Sequence, residues 1–303
     1  MKRMVALSVV AVSVLTPTFA AELIPDDKSQ YTLFNPTPAD SMRPWRTDQA
    51  GVSPYTIDAG HFEVNLTALT YGYDESEQFF AFSQVGPFFR LKIITEAWTY
   101  GAFVAKVGLA NRLDAEVGIV PYETITTQPQ PVLIGPTGQP IIPRQTASGF
   151  GDVVSRLKFN VWGNDGGKTA LSVSGIVKFP TADKDLGNGQ FEGGPALEFA
   201  AQLPCGFELR IDSVVILFED ALNNRQAAFN NLLSLSHQII GNLEGYAMFD
   251  TFAFTTDAEW VGSLKAGLNY RIAKNIELYV GNTFGVTDNA FDYRPFIGVA
   301  ARF

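Results

Sequence analysis

In Trp260-Val261-Gly262-Ser263-Leu264-Lys265-Ala266-Gly267-Leu268-Asn269-Tyr270-Arg271-Ile272, two kinds of residue alternate without a break. Trp260, Gly262, Leu264, Ala266, Leu268, Tyr270 and Ile272 share one parity; Val261, Ser263, Lys265, Gly267, Asn269 and Arg271 share the other. Successive side chains of a β-strand point to opposite faces, so the stretch predicts a strand between an apolar and a polar environment. The next segment repeats the pattern, setting Ile276, Leu278, Val280, Phe284 and Val286 against Glu277, Tyr279, Gly281 and Thr283. In 206–218 the apolar face is Phe207, Leu209, Ile211, Val215 and Leu217, and the opposite face begins Glu208, Arg210, Asp212. Strands of soluble sandwiches usually run about five or six residues. These runs are 11 to 14 residues long, the length of a tilted strand crossing a bilayer.

Working outward, about twelve such segments appear: 61–74, 96–109, 113–125, 149–162, 168–180, 193–203, 206–219, 229–241, 244–255, 258–273, 275–287 and 291–303. Every second link is tight, as in Ala110-Asn111-Arg112, Gly163 to Gly167, Pro204-Cys205, Asn242-Leu243 and Lys274. The links after the first, third, fifth and seventh segments are long, above all 75–95 and 126–148. Short turns on one side and long loops on the other predict an all-β, transmembrane, antiparallel up-and-down barrel. The eighth and ninth segments alternate least clearly, so ten and fourteen strands stay open as alternatives.

The chain ends on Phe303, and steps of two lead back through Ala301, Val299, Ile297, Pro295 and Tyr293. All suit a lipid-facing side. A terminal aromatic on an alternating strand resembles the signal read by the barrel-assembly machinery of Gram-negative bacteria. Gly298 fits that signal, whereas Phe296 stands where it is usually polar.

The 303 residues are 46% hydrophobic and 17% charged, with a net charge of −9. Beyond residue 20 no apolar run approaches the roughly 18 residues of a spanning helix. One cysteine excludes a disulfide framework and a multi-thiolate metal site. The acidic balance excludes a phosphate-tracking surface, so no nucleic acid partner is expected. Lys2 and Arg3, apolar Met4 to Leu15 and Thr18-Phe19-Ala20 predict a cleaved secretory signal over 1–20. Its removal leaves 20 basic against 31 acidic residues, a mature charge of −11. Residues 21–60, with Pro25, Pro36, Pro38, Pro44 and Pro54, form an irregular N-terminal segment ahead of the 61–303 barrel. Its composition is compatible equally with a plug in the lumen and with a periplasmic tail.

Three blocks carry a family resemblance. The first runs Arg43-Pro44-Trp45-Arg46-Thr47-Asp48 and then Ser53-Pro54-Tyr55-Thr56-Ile57-Asp58-Ala59-Gly60-His61-Phe62-Glu63. The second joins Gly149-Phe150-Gly151-Asp152 to Leu157-Lys158-Phe159-Asn160-Val161-Trp162-Gly163-Asn164. The third is Val177-Lys178-Phe179-Pro180-Thr181, with Leu186-Gly187-Asn188-Gly189 and Glu192-Gly193-Gly194. Together they resemble the MetA-pathway of phenol degradation family of outer-membrane transporters, over roughly 43–303. The resemblance implies a monomeric, about twelve-stranded outer-membrane channel for small molecules, aromatic or hydrophobic ones included. The Phe-rich stretch 78–94 looks like an elaboration beyond the shared pattern. It is expected either to cap the mouth or to continue the first strand as a hairpin.

Strand parity sends charges of both signs inward. The bases are Lys106, Arg156, Lys158, Lys178, Arg210, Lys265, Arg271, Arg294 and Arg302. The acids are Glu63, Asp114, Glu116, Asp152, Glu198, Glu208, Asp212, Glu277 and Asp292. Facing lipid at mid-depth, an Arg or Lys costs about 2–4 kcal/mol, so the parity is enforced. Inside, these groups either pair into a ladder that stiffens the wall or form a constriction that selects by charge. The pore-lining candidates are Arg156, Lys158, Glu198, Glu208, Arg210, Asp212 and Lys265. Trp98, Tyr100, Tyr122, Trp162, Trp260, Tyr270, Tyr293 and Phe303 fall near strand ends, where rings suit the headgroup boundary.

Catalytic, cofactor and metal sites are not expected. Gly163-Asn164-Asp165-Gly166-Gly167-Lys168-Thr169 echoes a phosphate loop, but its glycine-to-lysine spacing is one short and a strand follows it. His61 and His237 are the only histidines, and neither has a serine two residues away, the arrangement of outer-membrane phospholipases. Enzyme activity is therefore not expected. The expectation is a bacterial outer-membrane channel for passive uptake of small, hydrophobic or aromatic solutes, surrounded by lipid and lipopolysaccharide. The alternative is a non-conducting barrel acting as a surface interaction or structural protein.

Overall fold

The computed structural model describes residues 28–45, 53–81, 88–131, 143–219, 225–255 and 260–303. The signal at 1–20, the centre of the Phe-rich stretch at 82–87 and the middle of the 126–148 connection lie outside the described residues.

Among the described residues fourteen strand segments form: β1 Phe62–Ala81, β2 Phe88–Ala110, β3 Leu113–Ile119, β4 Tyr122–Pro131, β5 Gln145–Gly149, β6 Val153–Trp162 and β7 Thr169–Phe179. Then come β8 Glu192–Gln202, β9 Phe207–Glu219, β10 Arg225–Ile240, β11 Leu243–Phe254, β12 Trp260–Ala273, β13 Ile276–Gly285 and β14 Tyr293–Arg302. They make one antiparallel sheet in which β1 pairs with both β2 and β14, closing the wall. Phe62 and Phe303 exchange two backbone hydrogen bonds of 3.0 and 2.8 Å at that seam.

Twelve wall strands result, because two pairs of segments are collinear halves. β3 runs along Phe103–Ala110 of β2 and β4 along Leu91–Tyr100, so together they form one interrupted strand. β6 and β5 follow them in the same way. The first break falls at Val120-Pro121, where proline cannot donate to the ladder. The second falls at Phe150-Gly151-Asp152, and Gly151 N–H donates to Val120 O across both at 2.9 Å. The connection after β7 knits the gap. Asp152 Oδ1 accepts from the N–H groups of Thr181 and Ala182 at 3.0 and 2.9 Å. Asp183 Oδ2 accepts from Phe150 N–H at 2.7 Å. The sequence blocks around 149–152 and 177–183 are thus the two sides of one joint in the wall.

The connection expected at 75–95 is largely strand. β1 and β2 stay paired from Phe62↔Val107 to Ala81↔Phe88, well past Tyr73, where β14 stops pairing with β1. With β4 paired to β2 as far as Leu91↔Pro131, this side rises beyond the rest of the rim.

Burial follows the alternation. Leu264, Leu268, Tyr270 and Ile272 of β12, and Leu278, Val280 and Phe284 of β13, are exposed on the outer face. Polar and charged side chains are buried inside, including Lys158, Asn160, Ser172, Glu198, Asp212, Asn269 and Glu277. The molecule is inverted relative to a soluble domain: its apolar band is outside and its polar groups are within.

Candidate functional site: the barrel interior

Residues 28–45 and 53–60 pack against inward-facing side chains at the end of the barrel that carries the tight turns. Asp58, fully buried, anchors them. It accepts from Arg43 Nε at 2.8 Å and pairs with Arg302 of β14, while Lys28 stands at 4.0 Å. Trp45 Nε1–H donates to Glu63 Oε2 at 2.8 Å, and Arg271 donates to Trp45 O at 3.2 Å. From the opposite wall, Lys158 and Asn160 of β6 each donate at 2.6 Å, to Ser53 O and Pro54 O. Asn164 accepts from Thr56 N–H at 2.9 Å, and Asp114 from Ile57 N–H at 3.2 Å. An irregular segment leaves its backbone groups unpaired, and buried ones must find partners. Here the barrel wall supplies them. Gly108 permits the close approach, since a side chain there would collide with the carbonyl of Asp58.

The charged side chains of β6, β8 and β9 form two bonded groups on neighbouring strands. Glu198 of β8, fully buried, pairs with Arg156 at 2.8 Å and Lys158 at 3.2 Å, and accepts from Ser172 and Ser174 at 2.7 and 3.0 Å. Asp212 of β9 stands directly across from Glu198, and Arg210 pairs with Glu208 at 2.6 Å. Six of the seven pore-lining candidates are therefore neighbours on three strands. Lys265 lies apart on β12, its ammonium 4.7 Å from the centre of the Phe296 ring. Of the seven, Arg156, Asp212 and Lys265 line the main cavity, whereas Lys158 is spent on the N-terminal segment.

The opposite arc is apolar inside. Tyr246, Met248, Tyr279 and Phe296 form a buried cluster, with Leu232 packed against it. Three of these rings lie over glycines directly across the sheet: Tyr246 over Gly267, Tyr279 over Gly298 and Phe296 over Gly281. In each case a Cβ on the glycine would meet the ring. An aromatic laid over a bare backbone covers it and sets the strand register. Phe296, the one residue at odds with the assembly signal, takes part in this joint.

Between the segment and the far end lies a cavity of about 1080 Å³. Its charges balance: Lys106, Arg156, Lys178, Lys265 and Arg294 against Glu116, Asp152, Glu192, Asp212 and Asp250. A smaller cavity of about 250 Å³ lies beside Arg43, Trp45 and Asp58, and Lys106 lines both. Parity did not assign Asp250 and Glu192 inward. It did assign Asp292, which is exposed at the rim and accepts from Glu75 N–H at 3.0 Å. β11 conceals Asp250 because its inner face also carries Tyr246 and Met248, so both faces read as apolar.

The histidines have structural surroundings. His61 lies 3.0 and 2.8 Å from the carbonyl oxygens of Phe303 and Thr37, and His237 stacks on Phe207 with centroids 4.4 Å apart. Among the described residues, no group of three or more His, Cys, Asp or Glu side chains is placed to hold a metal ion. Gly163 to Gly167 form a turn against the N-terminal segment, and no helix follows.

Among solved structures, an outer membrane channel from Pseudomonas putida F1 is similar at 12% identity, with a TM-score of 0.52 over 80% of this chain and 95% of that one. OmpT of Vibrio cholerae with loop L8 deleted is more distant, at 10% identity and a TM-score of 0.40 over 80% and 98% of the two chains. The CymD monoaromatic hydrocarbon channel matches at 8% identity and 0.35, over 80% and 87%. At such identities the likeness is one of fold, and the first carries it. No curated protein matches the sequence. The family model described as "Putative MetA-pathway of phenol degradation" matches residues 46–303. Running through the whole wall and into the irregular segment ahead of it, this match places the chain in that family.

Proposed function

We propose that the protein is an outer-membrane channel through which small, hydrophobic or aromatic solutes diffuse passively toward the periplasm. The observation that carries this reading is the cavity of about 1080 Å³ inside a closed wall whose outer face is apolar. Such an outer surface needs lipid against it. Two sets of rings support the same orientation. Tyr71, Tyr73, Trp98, Tyr100, Tyr122 and Tyr293 make a continuous chain of contacts on one side of the barrel. Phe62, Trp162, Tyr270 and Phe303 are exposed toward the tight-turn end. Phe62 and Tyr73 are 11 residues apart on β1, which at a tilt of about 40° gives roughly 28 Å, near the height of an outer-membrane apolar band.

On this reading the chain is exported by a signal at 1–20 and delivered to the assembly machinery through Phe303. It works as a monomer among lipid and lipopolysaccharide, without catalysis or cofactor. The N-terminal segment acts as a plug that narrows the periplasmic exit. Planar-bilayer recording of the purified protein tests the proposal, the expected result being small, resolved conductance steps. Deletion of 22–55 is expected to enlarge them. The seating of that segment across one end is also what favours the second reading, a non-conducting barrel acting through its surface. A barrel that stays silent with and without the deletion decides for it.

A further inference from the structure

Around the main cavity nearly every cation is matched. Lys106 faces Glu63 and Glu116 at 3.6 and 3.9 Å, Lys178 lies 3.1 Å from both Asp152 and Glu192, and Arg156 pairs with Glu198. Lys265 has Asp250 as its neighbouring counter-charge. Arg294 of β14 differs. It lines the cavity half-buried, and no described carboxylate lies within ion-pair distance of it. Glu123 of β4 neighbours it, as Asp250 neighbours Lys265, but makes no ion-pair contact with it. Its guanidinium instead lies 4.4 Å from the centre of the Phe291 ring. Gly72 of β1 leaves room for the stack, since a Cβ there would press on Phe291 and Arg294 Nε at 3.2 and 3.3 Å.

A half-buried guanidinium with no carboxylate in direct contact loses hydration that only an anion or water restores. Stacking occupies one face of its plane, and no described carboxylate bonds its N–H edge, the edge that grips carboxylates in a two-point contact. Phe296, two residues along β14, also lines the cavity, and Lys265 lies in the same cross-strand row through Thr283. We propose that Arg294 and Phe291 form a lumenal subsite for small aromatic carboxylates, the carboxylate on the N–H edge of Arg294 and the ring against Phe291 and Phe296. The proposal rests on the channel reading and narrows its permeant to an aromatic anion.

Benzoate is the probe, measured by calorimetry on the full-length barrel in detergent and by interruption of ionic current in bilayers. The wild type is expected to bind benzoate more tightly than acetate or phenol. Arg294→Gln is expected to weaken benzoate binding about tenfold or more, the range of a charged hydrogen bond. Arg294→Lys, which keeps the charge without the fork, serves should the Gln variant fail to fold, and is expected to lose several-fold. Phe291→Leu should abolish the preference for benzoate over acetate. Equal binding by wild type and the Arg294 variants, absence of benzoate binding, or acetate bound as tightly as benzoate overturns the subsite. A silent barrel that binds benzoate through Arg294 overturns conduction and keeps the subsite. A conducting barrel that ignores benzoate does the reverse.

Discussion

At the scale of single residues, the interior is held by a few heavily used side chains. Glu198 satisfies two cations and two hydroxyls at once. Removing it takes from Arg156 and Lys158 the carboxylate they share where water is scarce. Glu198→Ala is expected to lower stability by about 3–5 kcal/mol, read by urea unfolding in lipid vesicles. Gly298 is critical for the opposite reason. Any side chain there meets the Leu66 carbonyl and the Tyr279 ring together. Gly298→Val is expected to abolish the folded, heat-modifiable species on gels, while Tyr279→Ala in the same background should partly restore it. On the outer face, Leu264→Arg tests the membrane reading. It is expected to cost about 2–4 kcal/mol in bilayers, whereas Leu264→Phe should be close to neutral. If Leu264→Arg is silent, the apolar band does not sit in lipid.

Among the elements, those with clean alternation were legible. β12, β13 and β14 lie where period-two parity puts them, with the assigned apolar residues outside. β10 and β11 were hardest to read because Leu232, Tyr246 and Met248 are apolar and face inward. Alternation signals a strand only while its two sides meet chemically different surroundings. The interrupted strands were not visible either. Pro121 is a local cue, but the second break depends on Asp152 and Asp183 being bonded to partners about thirty residues away. The N-terminal segment shows the same limit. Its prolines exclude regular structure, yet composition does not say what the segment touches. Asp58→Ala is expected to free it: protease cleavage within 28–45 should become rapid while the barrel stays resistant. Equal cleavage of both proteins sinks the anchoring role assigned to Asp58.

For the molecule as a whole, charge is distributed by location. Five bases and five acids balance around the main cavity. The net acidity of the chain therefore lies outside the main cavity, in the N-terminal segment, the connections and the remaining strand positions. Acidic mouths around a balanced lumen raise the local cation concentration. A modest cation preference is expected for inorganic salts, fading as ionic strength rises and the Debye length contracts. An anion-selective reversal potential at low salt excludes this. A single cationic subsite within the lumen is compatible with it, since the five bases that line the cavity are balanced there by five acids.

The sequence by itself determined the class of wall: long alternating segments, tight turns on one side, and a parity that leaves ionised groups no place but the interior. Parity is a local property of the chain and survives without knowledge of neighbours. Which charges meet, which rings lie over which glycines, and where the irregular segment rests were decided only by the tertiary structure. Those depend on register between strands and on closure at Phe62 and Phe303. Closure brings Asp58 to Arg302, 244 residues along the chain, and no periodicity within either stretch encodes that meeting.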